Sequence, residues 1–160
     1  MTAGATNQSS SPSGLVGYVV VADDPDSKSL RAAILVVNER GEPIEFCFNR
    51  GDLGRSVFWR GVPGRSHLLR LLVRSLVEAC RPQPDVVLTR VGDLRGAPLA
   101  DLGLALPLVL VQGNDVTWPL DAREHGSSAL LLLDEVRARG LLIEPFDRAE
   151  AGLQDAFGAE

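Results

Sequence analysis

The sequence predicts an α/β fold with a mixed sheet of about five strands and helices packed on it. Three apolar, β-branched runs come first and are joined by short connections, so we expect antiparallel neighbours. Helical and strand patterns then alternate, which is typical of parallel additions to a sheet. A chain of 160 residues, 45% of them hydrophobic, can bury one compact core, and we predict a single domain over residues 15–160.

The three leading strands are predicted at Leu15–Ala22, Ala32–Asn38 and Pro43–Asn49. The turn between the second and the third contains Gly41, and glycine suits the φ > 0 corner of a hairpin. Apolar and polar residues partly alternate along the third strand, which is typical of a strand near the edge of a sheet. Residues 1–14 are small and polar, and we predict that they form a disordered tail.

The clearest helix pattern covers Arg65–Arg81, where apolar residues recur at the i, i+3, i+4, i+7 spacing of one helix face. A second helix is predicted at Ser127–Arg139, and its apolar face, Leu130–Leu133 with Val136, is expected to be buried in the core, with a second apolar face for a partner as the alternative. The other predicted elements are strand Asp85–Val91, a short helix Pro98–Leu104, strand Pro107–Gln112, a long loop Gly113–Gly126, an extended piece Leu141–Pro145 and a last helix that opens on the capping box Asp147–Glu150 and reaches about Phe157.

Composition narrows the class of protein. A net charge of −5 argues against a protein that coats nucleic acid non-specifically, although a local basic patch is compatible with it. Cys47 and Cys80 have no metal-ligand spacing and are expected to be small buried hydrophobes in a reduced, cytoplasmic protein. The longest apolar run, Leu102–Val111, is too short to span a bilayer, so no membrane association is expected.

Acidic residues at the predicted strand ends are the candidate catalytic and metal-binding residues. Asp23 and Asp24 end the first strand, and Asp93 follows the fourth. Carboxylate oxygens are suitable ligands for Mg²⁺ or Mn²⁺. Asp23, Asp24 and Asp26 also suit a solvated turn, because aspartate and proline favour turns for conformational reasons alone.

A run of arginines with interleaved aromatic residues is the candidate binding segment, Arg50–Arg74. It begins with a connection of about fifteen residues, a length that is usually functional or mobile. Such a segment suits a phosphate backbone with stacked bases, a protein interface, or a solvated surface without a partner. The candidate binding residues are Arg55, Phe58, Trp59, Arg60, Arg65, His67, Arg70 and Arg74.

The order β-β-β-helix-β-(helix)-β-helix-helix resembles the ribonuclease H-like fold, which includes endonuclease V, over roughly Leu15–Arg139. The resemblance implies a divalent metal bound by an aspartate of the first strand, here Asp23 or Asp24. A second carboxylate usually comes from the first helix or just before it, where this chain has only Glu78, at the far end. A third usually ends strand four; Asp93 lies close, but Thr89-Arg90-Val91 occupy the strand end.

These observations support three hypotheses. The first is a non-enzymatic accessory or binding module, a catalytically degenerate ribonuclease H-like domain that binds a protein or nucleic acid through Arg50–Arg74 and needs no cofactor. The second is a nuclease that uses Mg²⁺ or Mn²⁺ at Asp23, Asp24 and Asp93. The third is a small-molecule or anion-binding domain with its site beside Gly64–Ser66 and Asp93.

Overall fold

A computed structural model describes residues 14–24, 29–52, 62–94, 104–117 and 127–158. Within these ranges the chain forms six strands and four helices. The strands are β1 (Val16–Asp24), β2 (Ser29–Val37), β3 (Pro43–Asp52), β4 (Val86–Arg90), β5 (Leu108–Gln112) and β6 (Asp115–Thr117). The helices are α1 (Val62–Ala79), α2 (Val91–Leu94), α3 (Ser127–Ala138) and α4 (Glu144–Phe157).

The six strands form one sheet in the order β3-β2-β1-β4-β5-β6. The β1–β2 and β2–β3 pairs are antiparallel, whereas β4 and β5 are added in parallel to β1. The predicted fold class is therefore confirmed, including the position of the third strand at an edge of the described sheet. The turn before β3 has Gly41 at φ +81°, as the hairpin prediction requires.

Helices cover both faces of the sheet, and each face has its own hydrophobic core. On one face, α1 packs mainly on β2 and β3, and its Leu69 and Leu76 share a buried cluster with Ile34. The apolar face predicted for this helix is buried throughout. On the other face, α4 packs on β1, β2 and β3, and α3 adds Leu133 to the same cluster, in which Phe146 lies against Tyr18 in an edge-to-face ring contact.

Among the described residues, Tyr18 is the largest fully buried side chain, and its hydroxyl has a hydrogen-bond partner. The hydroxyl donates a hydrogen bond of 2.6 Å to the backbone carbonyl of Leu141. This bond ties the α3–α4 connection to β1 from inside the core. Burial raises the pKa of Tyr18 above its ordinary range, so the phenol stays protonated as a donor.

Several short elements differ from the sequence prediction. The loop predicted at Gly113–Gly126 contains β6, and α2 follows β4 without a break. The predicted extended piece Leu141–Pro145 is wrong, because the chain turns at Gly140 and α4 begins at Glu144. The capping box at Asp147 is wrong for the same reason, since Pro145 already lies in the first turn. Most of the short helix predicted at Pro98–Leu104 lies outside the described residues.

The leucine run of α3 is only partly a core element. Leu133 is 2% exposed and packs under the helix, whereas Leu130 and Leu131 are 47% and 67% exposed. Four consecutive residues cover about 300° of a helix, so one sheet face cannot bury all four. The prediction that this face is buried is therefore confirmed for Leu133 and Val136 and wrong for Leu130 and Leu131.

The prediction that both cysteines are buried is confirmed for Cys80 and only in part for Cys47. Both thiols are free; Cys80 is fully buried and Cys47 is half-buried in the α1 core. Burial, reinforced by the neighbouring Cys47 thiol, raises the pKa of Cys80 to about 12. Among the described residues, no helix is long and apolar enough to cross a membrane.

The contact between α4 and the edge strand β3 gives a stability prediction. A Cβ added at Gly152 would lie 2.8 Å from Cζ of Phe46. Alanine normally stabilises a helix interior by about 1 kcal/mol over glycine, but overpacking a tight contact costs about 1–3 kcal/mol. We expect Gly152→Ala to lower the free energy of unfolding by about 1 kcal/mol in urea titrations.

The matched control is the same substitution in a Phe46→Leu background, where the ring is gone. There Gly152→Ala should raise the free energy of unfolding relative to Phe46→Leu alone. Equal effects in the two backgrounds would show that α4 and β3 do not pack as described.

Candidate functional site

Charged residues meet where the parallel strands β1 and β4 end. Asp23 is the next-to-last residue of β1, and Asp93 lies in α2, which directly follows β4. Parallel strands deliver their carboxyl ends to one edge of a sheet, which brings these two aspartates to the same edge. We call the group Asp23, Arg65, Arg90, Asp93 and Glu150 the carboxylate edge.

Asp23 is bound by an arginine of α1. Nη2 of Arg65 lies 3.1 Å from Oδ1 of Asp23, and both side chains are largely buried, with 17% and 22% exposed. Nη1 of the same guanidinium donates a bond of 3.4 Å to the backbone carbonyl of Leu94. Arg65 therefore joins the end of β1 to the end of α2.

Asp93 is bound by the last residue of β4. Nε and Nη2 of Arg90 lie 3.1 and 3.3 Å from Oδ2 and Oδ1 of Asp93, the two-bond geometry in which arginine holds carboxylates best. Nη1 of Arg90 also donates to Glu150 of α4 at 3.2 Å. The guanidinium lies 5.6 Å from the centre of the Phe146 ring, within the range of a cation–π contact.

Asp93 is the most buried acid of the carboxylate edge, with 13% of its side chain exposed. Its Oδ2 also accepts a bond of 3.4 Å from the backbone N–H of Val21 in β1. Burial raises the pKa of Asp93 above its ordinary value of 3.8, and the bonds from Arg90 and Val21 only partly oppose this effect.

The other acids singled out in the sequence are Asp24, Asp26 and Glu78. The backbone of Asp24 ends β1, while its side chain lies outside the described residues, as does Asp26. Glu78 lies thirteen residues after Arg65 in α1, about 20 Å along the helix axis. It pairs with Arg74 at 3.1 Å, as its i, i+4 spacing predicts.

The carboxylate edge does not fit a pair of divalent metal ions. Across residues 14–24, 29–52, 62–94, 104–117 and 127–158, no group of three or more His, Cys, Asp or Glu side chains could hold a metal ion. Two-metal sites need several carboxylates free to ligate, whereas Asp23 and Asp93 are each already held by a guanidinium.

The predicted binding segment is described only in part. Arg55, Phe58, Trp59 and Arg60 lie outside the described residues. Of the others, Arg65 is bound to Asp23, Arg70 contacts Nδ1 of His67 at 2.8 Å, and Arg74 is bound to Glu78. Arg50, which begins the segment, lies 3.6 Å from Asp52.

Sequence reasoning missed Arg90 and Glu150, which complete the carboxylate edge. The sequence places Arg90 at the end of the fourth strand without a partner, and its local pattern around Glu150 predicts a capping box. The two residues are 60 positions apart, so no local pattern links them. The one available signal was an arginine at a strand end where the resemblance leads one to expect an acid.

No protein-family model and no curated protein sequence matches this chain. Similar solved structures include endonuclease V from Streptomyces avermitilis, at 21% identity over 61% of this chain and 45% of that chain, with a TM-score of 0.48. Another is endonuclease V from Bacillus subtilis, at 14% identity over 61% and 43% of the two chains, with a TM-score of 0.43.

A third similar structure is Marinitoga piezophila Argonaute in complex with a guide RNA, at 11% identity over 66% of this chain and 18% of that chain, with a TM-score of 0.33. The match spans less than half the length of either endonuclease V chain. At these identities and scores, the similarity concerns the outline of the fold and no particular residue.

The raised pKa of Asp93 predicts a pH dependence of stability. The folded state holds this proton more tightly than the unfolded chain, so the contribution of Asp93 is fully present at low pH. It is lost as the pH rises from 3.8, the ordinary value, through the folded pKa. The free energy of unfolding of the wild type, relative to that of Asp93→Asn, should therefore decline across this window.

Urea titrations at a series of pH values measure the difference. Asp134→Asn, at an exposed position of α3 outside the carboxylate edge, provides the reference for the loss of one carboxylate. A wild-type advantage over Asp93→Asn that grows as the pH rises would contradict the prediction, because it would mean that Arg90 outweighs burial.

Proposed function

We propose that this chain is a non-catalytic ribonuclease H-like domain that serves as an accessory module and binds a protein partner through the segment Arg50–Arg74. The observation that carries the proposal is the pairing of Asp23 with Arg65 and of Asp93 with Arg90. The chain's own guanidinium groups occupy the positions at which these carboxylates would contact a metal ion.

Physical chemistry supports this choice over the metal-dependent nuclease. An arginine is always charged, so it cannot leave a carboxylate by losing its proton. A divalent ion would have to displace Arg90 from two carboxylate oxygens and from Glu150. The displaced guanidinium would then be a partly buried charge without its partners, which is costly.

Manganese titration tests the proposal. We expect Mn²⁺ at millimolar concentration to leave the thermal midpoint of the wild type unchanged, because ligands shift the midpoint only by binding the native state. Arg90→Met releases Asp93 and Glu150 while keeping an apolar contact with Phe146, and this variant should be stabilised by Mn²⁺.

Arg40→Met is the matched control, because Arg40 pairs with Glu42 in an exposed turn far from the carboxylate edge. It should show no response to Mn²⁺. Stabilisation of the wild type by Mn²⁺ that disappears in Asp23→Asn would instead support the nuclease, with Asp23, Asp24 and Asp93 as its ligands.

The described part of Arg50–Arg74 favours a protein over a nucleic acid as the partner. Polyphosphate binding requires cations that are not already neutralised, whereas Arg50 and Arg74 lie beside Asp52 and Glu78. Leu71, between the arginines of α1, is 49% exposed. An exposed leucine flanked by arginines suits a protein interface with an apolar centre.

Two measurements separate these partners. Arg70→Glu with Arg74→Glu should elute from a heparin column at the same salt concentration as the charge-matched control, Arg137→Glu with Arg139→Glu. Earlier elution of the α1 variant alone would support nucleic acid. A protein that the tagged wild type captures should also be captured by the Arg137→Glu with Arg139→Glu control, but not by Leu71→Asp. Capture of the same protein by Leu71→Asp would contradict an interface at α1.

A further inference from the structure

The edge strand β3 and the helix α1 lie side by side in a fixed register. A Cβ added at Gly51 would lie 2.5 Å from Cδ1 of Leu68. Two residues back along β3, Nδ2 of Asn49 donates a hydrogen bond of 3.1 Å to the backbone carbonyl of Leu72, four residues further along α1. Two strand residues span about 6.6 Å and four helix residues about 6 Å, so the strand and the helix stay aligned over this distance.

The same register brings Cys47 to the turn of α1 that contains Leu76. Cys47 lies two residues before Asn49, so it is on the same face of β3, and it packs in the α1 core. Cys80 directly follows α1, and its thiol points back along the helix, donating a bond of 3.2 Å to the backbone carbonyl of Leu76. The two thiols therefore meet at one helical turn, where a hydrogen bond joins their side chains.

The two thiols differ in their access to solvent. Cys80 is fully buried, so a reagent in solution does not reach its sulfur while the chain is folded. Cys47 is half-buried on a strand at the edge of the described sheet. An oxidant from solution therefore reacts first at Cys47, and the sulfur next to it is that of Cys80. An accessible thiol beside a second, resolving thiol is the arrangement from which disulfides form.

We propose that Cys47 and Cys80 are a redox-active dithiol, which forms an internal disulfide on reaction with a small-molecule disulfide and so fixes the end of α1 to β3. The bond closes a loop over residues 47–80, which contains α1 and the whole of Arg50–Arg74. The reaction of the two thiols is independent of any partner that this segment binds.

The reaction consists of two successive thiol–disulfide exchanges. The Cys47 thiolate attacks one sulfur of oxidised glutathione, whose S–S bond breaks; a mixed disulfide forms, and one glutathione leaves as a thiolate that takes up the proton lost by Cys47. The Cys80 thiolate then attacks the Cys47 sulfur and expels the second glutathione, which takes up the proton of Cys80. Two cysteine thiols are thus oxidised while one glutathione disulfide is reduced to two thiols.

The environment of Cys80 makes the second exchange the slower one. Burial, and after it the Cys47 thiol, raise the pKa of Cys80 to about 12, so its sulfur is mostly protonated and weakly nucleophilic. Its position beside the mixed disulfide favours the attack, because the two sulfurs need no collision between molecules to meet.

Oxidised glutathione, added to the full folded chain, tests the proposal. After the remaining thiols are alkylated in urea, mass spectrometry should show the loss of two hydrogens and no glutathione adduct. Trypsin should release one species that joins Gly41–Arg50 to Ser75–Arg90, since the Arg81–Pro82 bond resists cleavage. The thermal midpoint of the oxidised chain should be at least about 5 °C above that of the reduced chain, because the closed loop restricts the unfolded state.

Two variants assign the roles of the two sulfurs. Cys80→Ser keeps a donor for the Leu76 carbonyl and should stop at the mixed disulfide of Cys47 with glutathione. Cys47→Ser is the matched control and should not react in the folded state, because the remaining thiol is buried.

A comparison of the folded and the urea-unfolded wild type needs no variant. In a glutathione redox buffer at equilibrium, the internal disulfide should be favoured at least about tenfold more in the folded chain, since folding already holds the two thiols together. This measurement and the linked peptide decide the matter should Cys80→Ser fail to fold.

The proposal is overturned if the folded wild type remains a dithiol or stops at the mixed disulfide. An oxidised chain whose thermal midpoint is equal to or below that of the reduced chain would contradict it too, because the bond would then not fit the native geometry. Reaction of folded Cys47→Ser at the rate of the wild type would show that solvent reaches Cys80 directly. A dimer linked through Cys47 of two copies would assign this thiol to an intermolecular bond instead.

Discussion

The guanidinium of Arg90 organises the carboxyl end of the sheet. It bonds to Asp93 of α2 and Glu150 of α4 and lies beside the Phe146 ring, while Asp93 accepts a bond from β1. Arg90 of β4 thus joins α2 and α4 directly, and Asp93 adds β1 to the same group. In a partly buried ion pair the cost of desolvation offsets much of the attraction between the charges. We therefore expect Arg90 to act mainly by fixing the geometry of the elements that it joins.

The sequence predicts correctly those strands and helices that are long enough to show a strand or helix pattern. β1, β2, β3 and α1 are long enough for a sequence pattern to show; β1 and β2 are continuous apolar runs buried on both faces, and the burial of α1 follows the helical period. β6 has three residues and α2 has four, too few for any period. The start of α4 was misplaced because Pro145 and Asp147 both carry helix-start signals, and the turn at Gly140 selects the earlier one.

The candidate site was predictable only where it depends on chain order. Asp23 and Asp93 follow strands that the sequence identifies, so their shared edge follows from topology. The arginine that pairs with Asp23 does not follow from topology, because Arg65 lies 42 positions away in the chain. The sequence shows that a residue is an arginine, but not whether its guanidinium pairs with an acid far away in the chain. For this reason Arg65 appears among the predicted residues of a binding surface, although it pairs with Asp23.

At the carboxyl ends of the parallel strands, charges are compensated within the chain. Ligands of open α/β sheets usually bind at the carboxyl ends, where side chains converge beyond the strands. Here two arginines neutralise that end from within the chain. The described edge at which such a sheet would usually hold a ligand is therefore filled by the chain's own ion pairs. Because each guanidinium bonds to a carboxylate and also to a second acid or a backbone carbonyl, a ligand would have to break several bonds at once to enter.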